Sequence, residues 1–138
     1  MNRPSPATLA RSRRLLAHEG AADSAYAWAT AAGRVHDKLH AHLDPILGVA
    51  GVHALLVRSA RVAHAEFACI EVAALGDSTK LRECLQAQDV AVAAAAAVAL
   101  FANFFALITA FIGERLTSQV LRKAWPTFAA TEPGETET

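Results

Sequence analysis

The chain has 138 residues, a length typical of one domain with its own hydrophobic core, and its thirteen basic residues balance thirteen acidic ones. This charge balance does not indicate nucleic acid as a partner. Two separated cysteines, Cys69 and Cys84, give no disulfide framework, and the first twenty residues contain no secretory apolar segment, so we expect a cytoplasmic protein.

The N-terminal third predicts two helices. Residues 1–8 contain two prolines and are expected to be a disordered extension, after which Thr8 caps a short helix that ends near Gly20. Asp23 or Ser24 caps the second helix. Its apolar seam repeats at spacings of three and four, at Trp28, Ala32, Val35, Leu39 and Leu43. The Asp44-Pro45 pair is expected to end this helix, because a residue before proline avoids the α region.

The middle of the chain continues in the same pattern. A third helix is expected from about Val49, with its seam at Val52, Leu56, Ala60, Ala63, Phe67 and Ile70. Gly76 then ends one helix and Asp77 or Ser78 caps the next. A break near Gln88 or Asp89 is expected, because an unbroken helix from Ser78 to Ile112 would be about 50 Å long.

The segment 90–113 has no charged residue and predicts a buried central helix, at about 90–112. Its large side chains cover more than half of the cylinder, and its small residues form the remaining strip, at Ala95, Ala99, Ala102, Ala106 and Ala110. Such a strip allows a second helix to approach closely. Asn103 needs a hydrogen-bond partner there. The expected core residues of this helix and the next are Phe101, Phe104, Phe105, Ile108, Ile112, Leu116 and Trp125.

A final helix is expected after Gly113, ending at Pro126, with 127–138 as an acidic flexible tail. The sequence Ile112-Gly113-Glu114-Arg115-Leu116-Thr117, followed by Leu121 and Ala124-Trp125-Pro126, resembles the ending of small helical bacterial proteins that have no assigned activity. The resemblance favours a soluble bacterial protein and implies no ligand or catalytic residue.

Together these segments predict an all-α domain over 9–126, a bundle or globin-like packing of five to six helices around the central one. A membrane span at 90–113 is the alternative, since more than 18 apolar residues suffice in length. The amphipathic seams of the other helices favour the buried core, because they need an apolar surface to cover.

Histidines are the candidates for ligand binding. His36 and His40 stand four residues apart on the second helix, a spacing that suits a transition metal, but we expect a solvated helix face beside Asp37 and Lys38. His53 and His64 are candidates for a lone axial ligand to haem. The sequence His36-Asp37-Lys38-Leu39 departs from the histidine phosphotransfer pattern in residue order and lacks its glycine.

The sequence contains no hydrolase elbow, phosphate loop or buried carboxylate pair, so we expect no enzyme activity and no cofactor. The leading hypothesis is a non-catalytic adaptor or regulator that binds a protein partner, or itself, through an exposed apolar seam. Tyr26 and Trp28 are the candidate anchors, although a core position is the favoured interpretation of Trp28. The alternative from another class is a haem- or metal-binding sensor.

Overall fold

The computed structural model describes residues 4–70 and 78–131, and these residues form α-helices without a strand. The all-α expectation is confirmed. The helices are α1 (Pro6–His18), α2 (Ala25–Leu47), α3 (Val49–His64), α4 (Ser78–Gln86), α5 (Val90–Ile112), α6 (Glu114–Ala124) and α7 (Pro126–Thr131).

The uncharged helix α5 lies at the centre, as predicted. It contacts α1, α2, α3, α4 and α6, and it begins where Asp89 accepts a hydrogen bond from the Val92 N–H at 2.9 Å. The predicted break between α4 and α5 is therefore real. Alone among the described helices, α5 is long and apolar enough to cross a membrane, and 67% of its apolar window is buried against the same chain.

The hydrophobic core follows the sequence pattern closely. Five of the seven predicted core residues are buried: Phe101, Phe104, Phe105, Ile108 and Trp125. Ile112 and Leu116 are half-buried, because they lie where α5 ends and α6 turns away from it. The seams of α2 and α3 supply the facing surface with Leu39, Leu43, Val52 and Leu56.

The N-terminal helix begins earlier than the sequence predicts. Ser5, not Thr8, is its cap, and the Ser5 hydroxyl accepts a hydrogen bond from the Thr8 N–H at 3.1 Å. Pro6 follows at the first helical position, where the missing N–H of proline costs nothing. Part of the expected extension 1–8 is thus helical.

The prediction that Asp44-Pro45 ends the second helix is wrong. Helix α2 includes Pro45 and runs to Leu47, where Gly48 adopts φ 83° and its N–H reaches the Asp44 carbonyl at 2.8 Å. A proline in the last turn removes one hydrogen bond, whereas the positive φ of Gly48 changes the direction of the chain. Gly113, with φ 90°, makes the same kind of corner between α5 and α6.

Helix α3 stops at His64, before the full length of the predicted seam. The remaining seam residues Phe67 and Ile70 still pack inward, Ile70 completely, from turns that follow the helix. The predicted boundary at Gly76 and Asp77 lies outside the described residues. Helix α4 is described from Ser78 to Gln86.

Ordered structure extends past Pro126 into the expected tail 127–138. Helix α6 ends before Trp125, which forms a corner. Pro126 then starts α7, whose Phe128 is buried. The Phe128 ring packs against His18 with centroids 5.6 Å apart. Burial of this aromatic ring against α1 explains why the helical domain continues beyond 126.

Candidate functional site: a groove on the small-residue strip of helix α5

The small-residue strip predicted on α5 is only partly covered by the rest of the chain. Ala102 is buried, but Ala95, Ala99 and Ala106 are half-buried and Ala110 is exposed. Phe101 and Phe104, on the opposite side of α5, are fully buried. Ala95 and Ala99 of the strip lie on the floor of an open groove.

The groove has a volume of about 880 Å³ and lies between α1 on one side and the C-terminal end of α3 on the other. Its floor belongs to α5. The lining residues are Pro4, Leu9, Ala10 and Arg13 from the first wall, Val62, Ala65, Glu66 and Phe67 from the second, and Ala95, Val98, Ala99 and Asn103 from the floor.

Three polar side chains line this mostly apolar surface: Arg13, Glu66 and Asn103. The Asn103 amide nitrogen donates to the Ala99 carbonyl at 2.8 Å, so the partner that Asn103 needs is found within α5. A groove that is apolar in most of its lining, with a few fixed polar groups, is the usual composition of a protein-binding or ligand-binding surface.

The two predicted interface anchors have different positions. Trp28 is buried, and the Arg13 guanidinium lies 5.6 Å from the centre of its ring. Tyr26 is 69% exposed and does not line the groove. Trp28 is thus a buried contact of the lining residue Arg13 and is not itself a surface anchor.

The structure brings His36 and His40 together, with ring centroids 5.0 Å apart, but not on a solvated face. His36 is only 5% exposed, so the expectation of a solvated position is wrong for it. Helix α2 is covered by α1, α3, α4, α5 and α6, and the sequence of α2 alone does not show how many neighbours it has.

Each of these imidazoles has a carboxylate beside it. His40 Nδ1 lies 2.8 Å from Asp44 Oδ1, and His36 Nδ1 lies 3.4 Å from Asp37 Oδ1. Within the described residues, no group of three or more side chains that could hold a metal ion is formed. The pair alone therefore offers at most two protein ligands.

The haem candidates both lie on α3, outside the lining of the groove. His53 is half-buried on α3, and His64 is exposed and donates from Nδ1 to the Ile70 carbonyl at 2.8 Å. Neither residue lines the groove.

Sequence reasoning missed a buried polar cluster centred on Glu19. This carboxylate is 8% exposed, and it accepts hydrogen bonds from Lys38 Nζ at 2.6 Å and from the indole N–H of Trp125. Arg34 donates to the Glu19 carbonyl oxygen at 2.8 Å. The partners stand 19 and 106 residues away, so no local sequence signal identifies them.

A second missed contact explains a glycine inside α2. A Cβ at Gly33 would overlap the guanidinium of Arg82 from α4. The Nε atom of Arg82 is buried there without a hydrogen-bond partner among the described residues. Gly33 therefore allows α4 to pack closely on α2, the helix with which α4 makes its most extensive contact.

Comparison with protein-family models, with characterised proteins and with solved structures gave no match. The assignment of function therefore depends on the groove, the histidine pair and the Glu19 cluster. Of these three, only the groove is both open to solvent and large enough to receive a partner.

Proposed function

We propose that this chain is a non-catalytic cytoplasmic adaptor or regulator, and that its groove binds an α-helical segment of a partner protein. The observation that supports the proposal is the incompletely covered small-residue strip of α5, at the floor of a groove of about 880 Å³.

The shape of the groove favours a helical occupant. Ala95 and Asn103 mark the ends of its floor and lie about 12 Å apart along the helix axis, at 1.5 Å per residue. A floor of this length supports a partner of about two helical turns, which belongs to the helix-in-groove class of recognition.

The small side chains on the floor also favour close helix packing. Ala95 and Ala99 add little bulk between α5 and an incoming helix, so the two backbones can approach to the short end of the usual 8–10 Å separation. Leu9 and Val62 stand on opposite walls and supply apolar contacts for its sides. A partner with apolar residues at positions i, i+3, i+4 and i+7 matches this arrangement.

Site-specific photo-crosslinking tests the proposal. A photoreactive amino acid at residue 99 is expected to capture a partner in the native host, and the crosslinked peptide is expected to come from one amphipathic helix. The matched control carries the same group at Gln119, an exposed position on α6. Ala95→Glu, which puts a charge on the floor, should abolish capture at residue 99.

Capture that is equal at both positions, or that persists in Ala95→Glu, would contradict the proposal. The cytoplasmic assignment is checked in the same host by fractionation, where we expect the chain in the supernatant without detergent. Recovery only from membranes would support the membrane-span alternative for α5.

The haem- or metal-binding alternative retains the pair His36 and His40, because their rings are adjacent and each has a carboxylate neighbour. Carboxylates commonly orient metal-ligating histidines in this way. An absorption spectrum and metal analysis of the purified protein distinguish this alternative from the adaptor. A Soret band or one equivalent of bound metal would favour the sensor.

A further inference from the structure

The two walls of the groove have an unusual charge pattern for a chain with no net charge. Helices α1 and α3 contain arginines but no aspartate or glutamate, and the α5 floor contains no charged residue. The acidic residues of the described helices are on α2, α4 and α6. Helices α4 and α6 also have more basic than acidic residues, but α1 and α3 have no acidic residue and border the groove.

Three exposed arginines lie on the two wall helices. Arg13 lines the α1 wall directly. On α3, Arg58 lies one turn before the lining residue Val62, and Arg61 lies one turn before Ala65. Residues four apart on a helix are neighbours on its surface, so Arg58 and Arg61 follow the α3 rim of the groove.

One lining carboxylate, Glu66, opposes this charge. It follows the end of α3, whereas the three arginines are distributed over both walls. Over the two walls, the described arginines therefore outnumber the described carboxylates. Complementary charge at an interface selects partners and speeds their encounter.

We propose that the occupant is a helix whose apolar stripe is flanked on both sides by aspartate or glutamate. This inference rests on the proposed function, since it specifies the partner of the same groove. The apolar stripe packs on Ala95 and Ala99, while the flanking carboxylates pair with Arg13 on one side and with Arg58 and Arg61 on the other.

Three synthetic peptides test the inference with the full chain. Each is a 15-residue alanine-based helix with leucines at i, i+3, i+4 and i+7, and the flanking positions carry glutamate, glutamine or lysine. Fluorescence anisotropy of labelled peptide gives the dissociation constants. We expect the glutamate peptide to bind about ten-fold more tightly than the glutamine peptide, and the lysine peptide more weakly than either.

Charge reversal locates the preference. The double variant R58E/R61E should lose the preference for glutamate over glutamine, whereas R122E/K123E, the same charge change on exposed positions of α6, should keep it. Circular dichroism checks that both variants remain folded. Raising the salt concentration from about 50 to 500 mM should also reduce the preference, because exposed ion pairs are screened.

The outcomes separate this inference from the proposed function. Equal binding of the three peptides, each blocked by Ala99→Phe, would overturn the acidic-flank inference and leave the helix-binding groove intact. Failure of all three to bind would overturn both. Displacement of bound glutamate peptide by a straight-chain fatty acid at lower concentration than by unlabelled peptide would identify an anionic lipid as the occupant and would overturn the inference.

Discussion

The carboxylate of Glu19 accepts a hydrogen bond from the indole of Trp125, although 106 residues separate them in sequence. Lys38 completes the cluster with its ammonium 2.6 Å from the same carboxylate and 5.9 Å from the centre of the Trp125 ring. The cluster ties the end of α1 and the corner between α6 and α7 to α2. It therefore closes the bundle at the end of α1 where Gly20 redirects the chain.

Removal of this carboxylate should destabilise the fold. In Glu19→Ala, the Lys38 ammonium can rehydrate because it is 44% exposed, but the Trp125 N–H stays buried without a partner. We expect a loss of about 1–3 kcal/mol in the free energy of unfolding, measured by urea titration. Glu83→Ala, on an exposed acid within α4, should change it by less than about 0.5 kcal/mol. Equal effects would show that the cluster does not stabilise the fold.

The two faces of α5 predict a contrast between two phenylalanines of one helix. Phe105 is buried, whereas Phe111 is 72% exposed. Phe105→Ala should cost about 3–5 kcal/mol, through lost apolar burial and the cavity left behind, and Phe111→Ala should stay within about 0.5 kcal/mol. Denaturant titration of the two variants decides the matter. Equal losses would contradict the observed orientation of α5.

His36 is buried on α2, whereas Tyr26 of the same helix is exposed. The burial of His36 predicts that His36→Ala lowers the free energy of unfolding by about 1–3 kcal/mol without any change in metal content. Tyr26→Ala, at an exposed position of α2, serves as the control and should be nearly neutral. A loss of bound metal together with the loss of stability would instead support the sensor alternative.

Two nearby glycines should respond to alanine in opposite directions. Gly48 has φ 83° and ψ 152°, a backbone region essentially restricted to glycine, so Gly48→Ala should cost about 1–3 kcal/mol. Gly51 lies within α3, and a Cβ there meets only Leu47 at an ordinary contact distance of 3.5 Å. Gly51→Ala should therefore gain about 0.5–1 kcal/mol. Thermal melts of the two variants measure this difference, and the same sign for both would refute it.

The helices and the central position of α5 were predictable because they depend on local spacing and on the absence of charge over 90–112. Apolar residues that repeat with the helical period identify a buried face without knowledge of its neighbour. The corner at Gly48 was not predicted. The Asp44-Pro45 signal precedes Gly48 by only a few residues and predicts an end of α2 that is too early. The position at which such a helix ends depends on the combined local energies of the proline and of the positive-φ glycine after it.

The groove was predictable only in part. The small strip at Ala95 and Ala99 is visible in the sequence, but the gap between α1 and α3 depends on how the helices pack. The burial of His36 and the Glu19 cluster also come from tertiary packing, since their contacts join helices distant in sequence. The charge pattern of α1 and α3 is visible in the sequence, but only the fold shows that both helices border one groove.

The accessibility of the α5 floor tests the central claim most directly. In a background without Cys69 and Cys84, a cysteine is placed at Ala99, on the floor of the groove, or at Ala97, on the buried side of the same helix. We predict that a water-soluble thiol reagent modifies the cysteine at 99 in the native protein and reaches the one at 97 only after unfolding. Equal protection of both positions, or equal reactivity, would contradict an open groove on this face of α5.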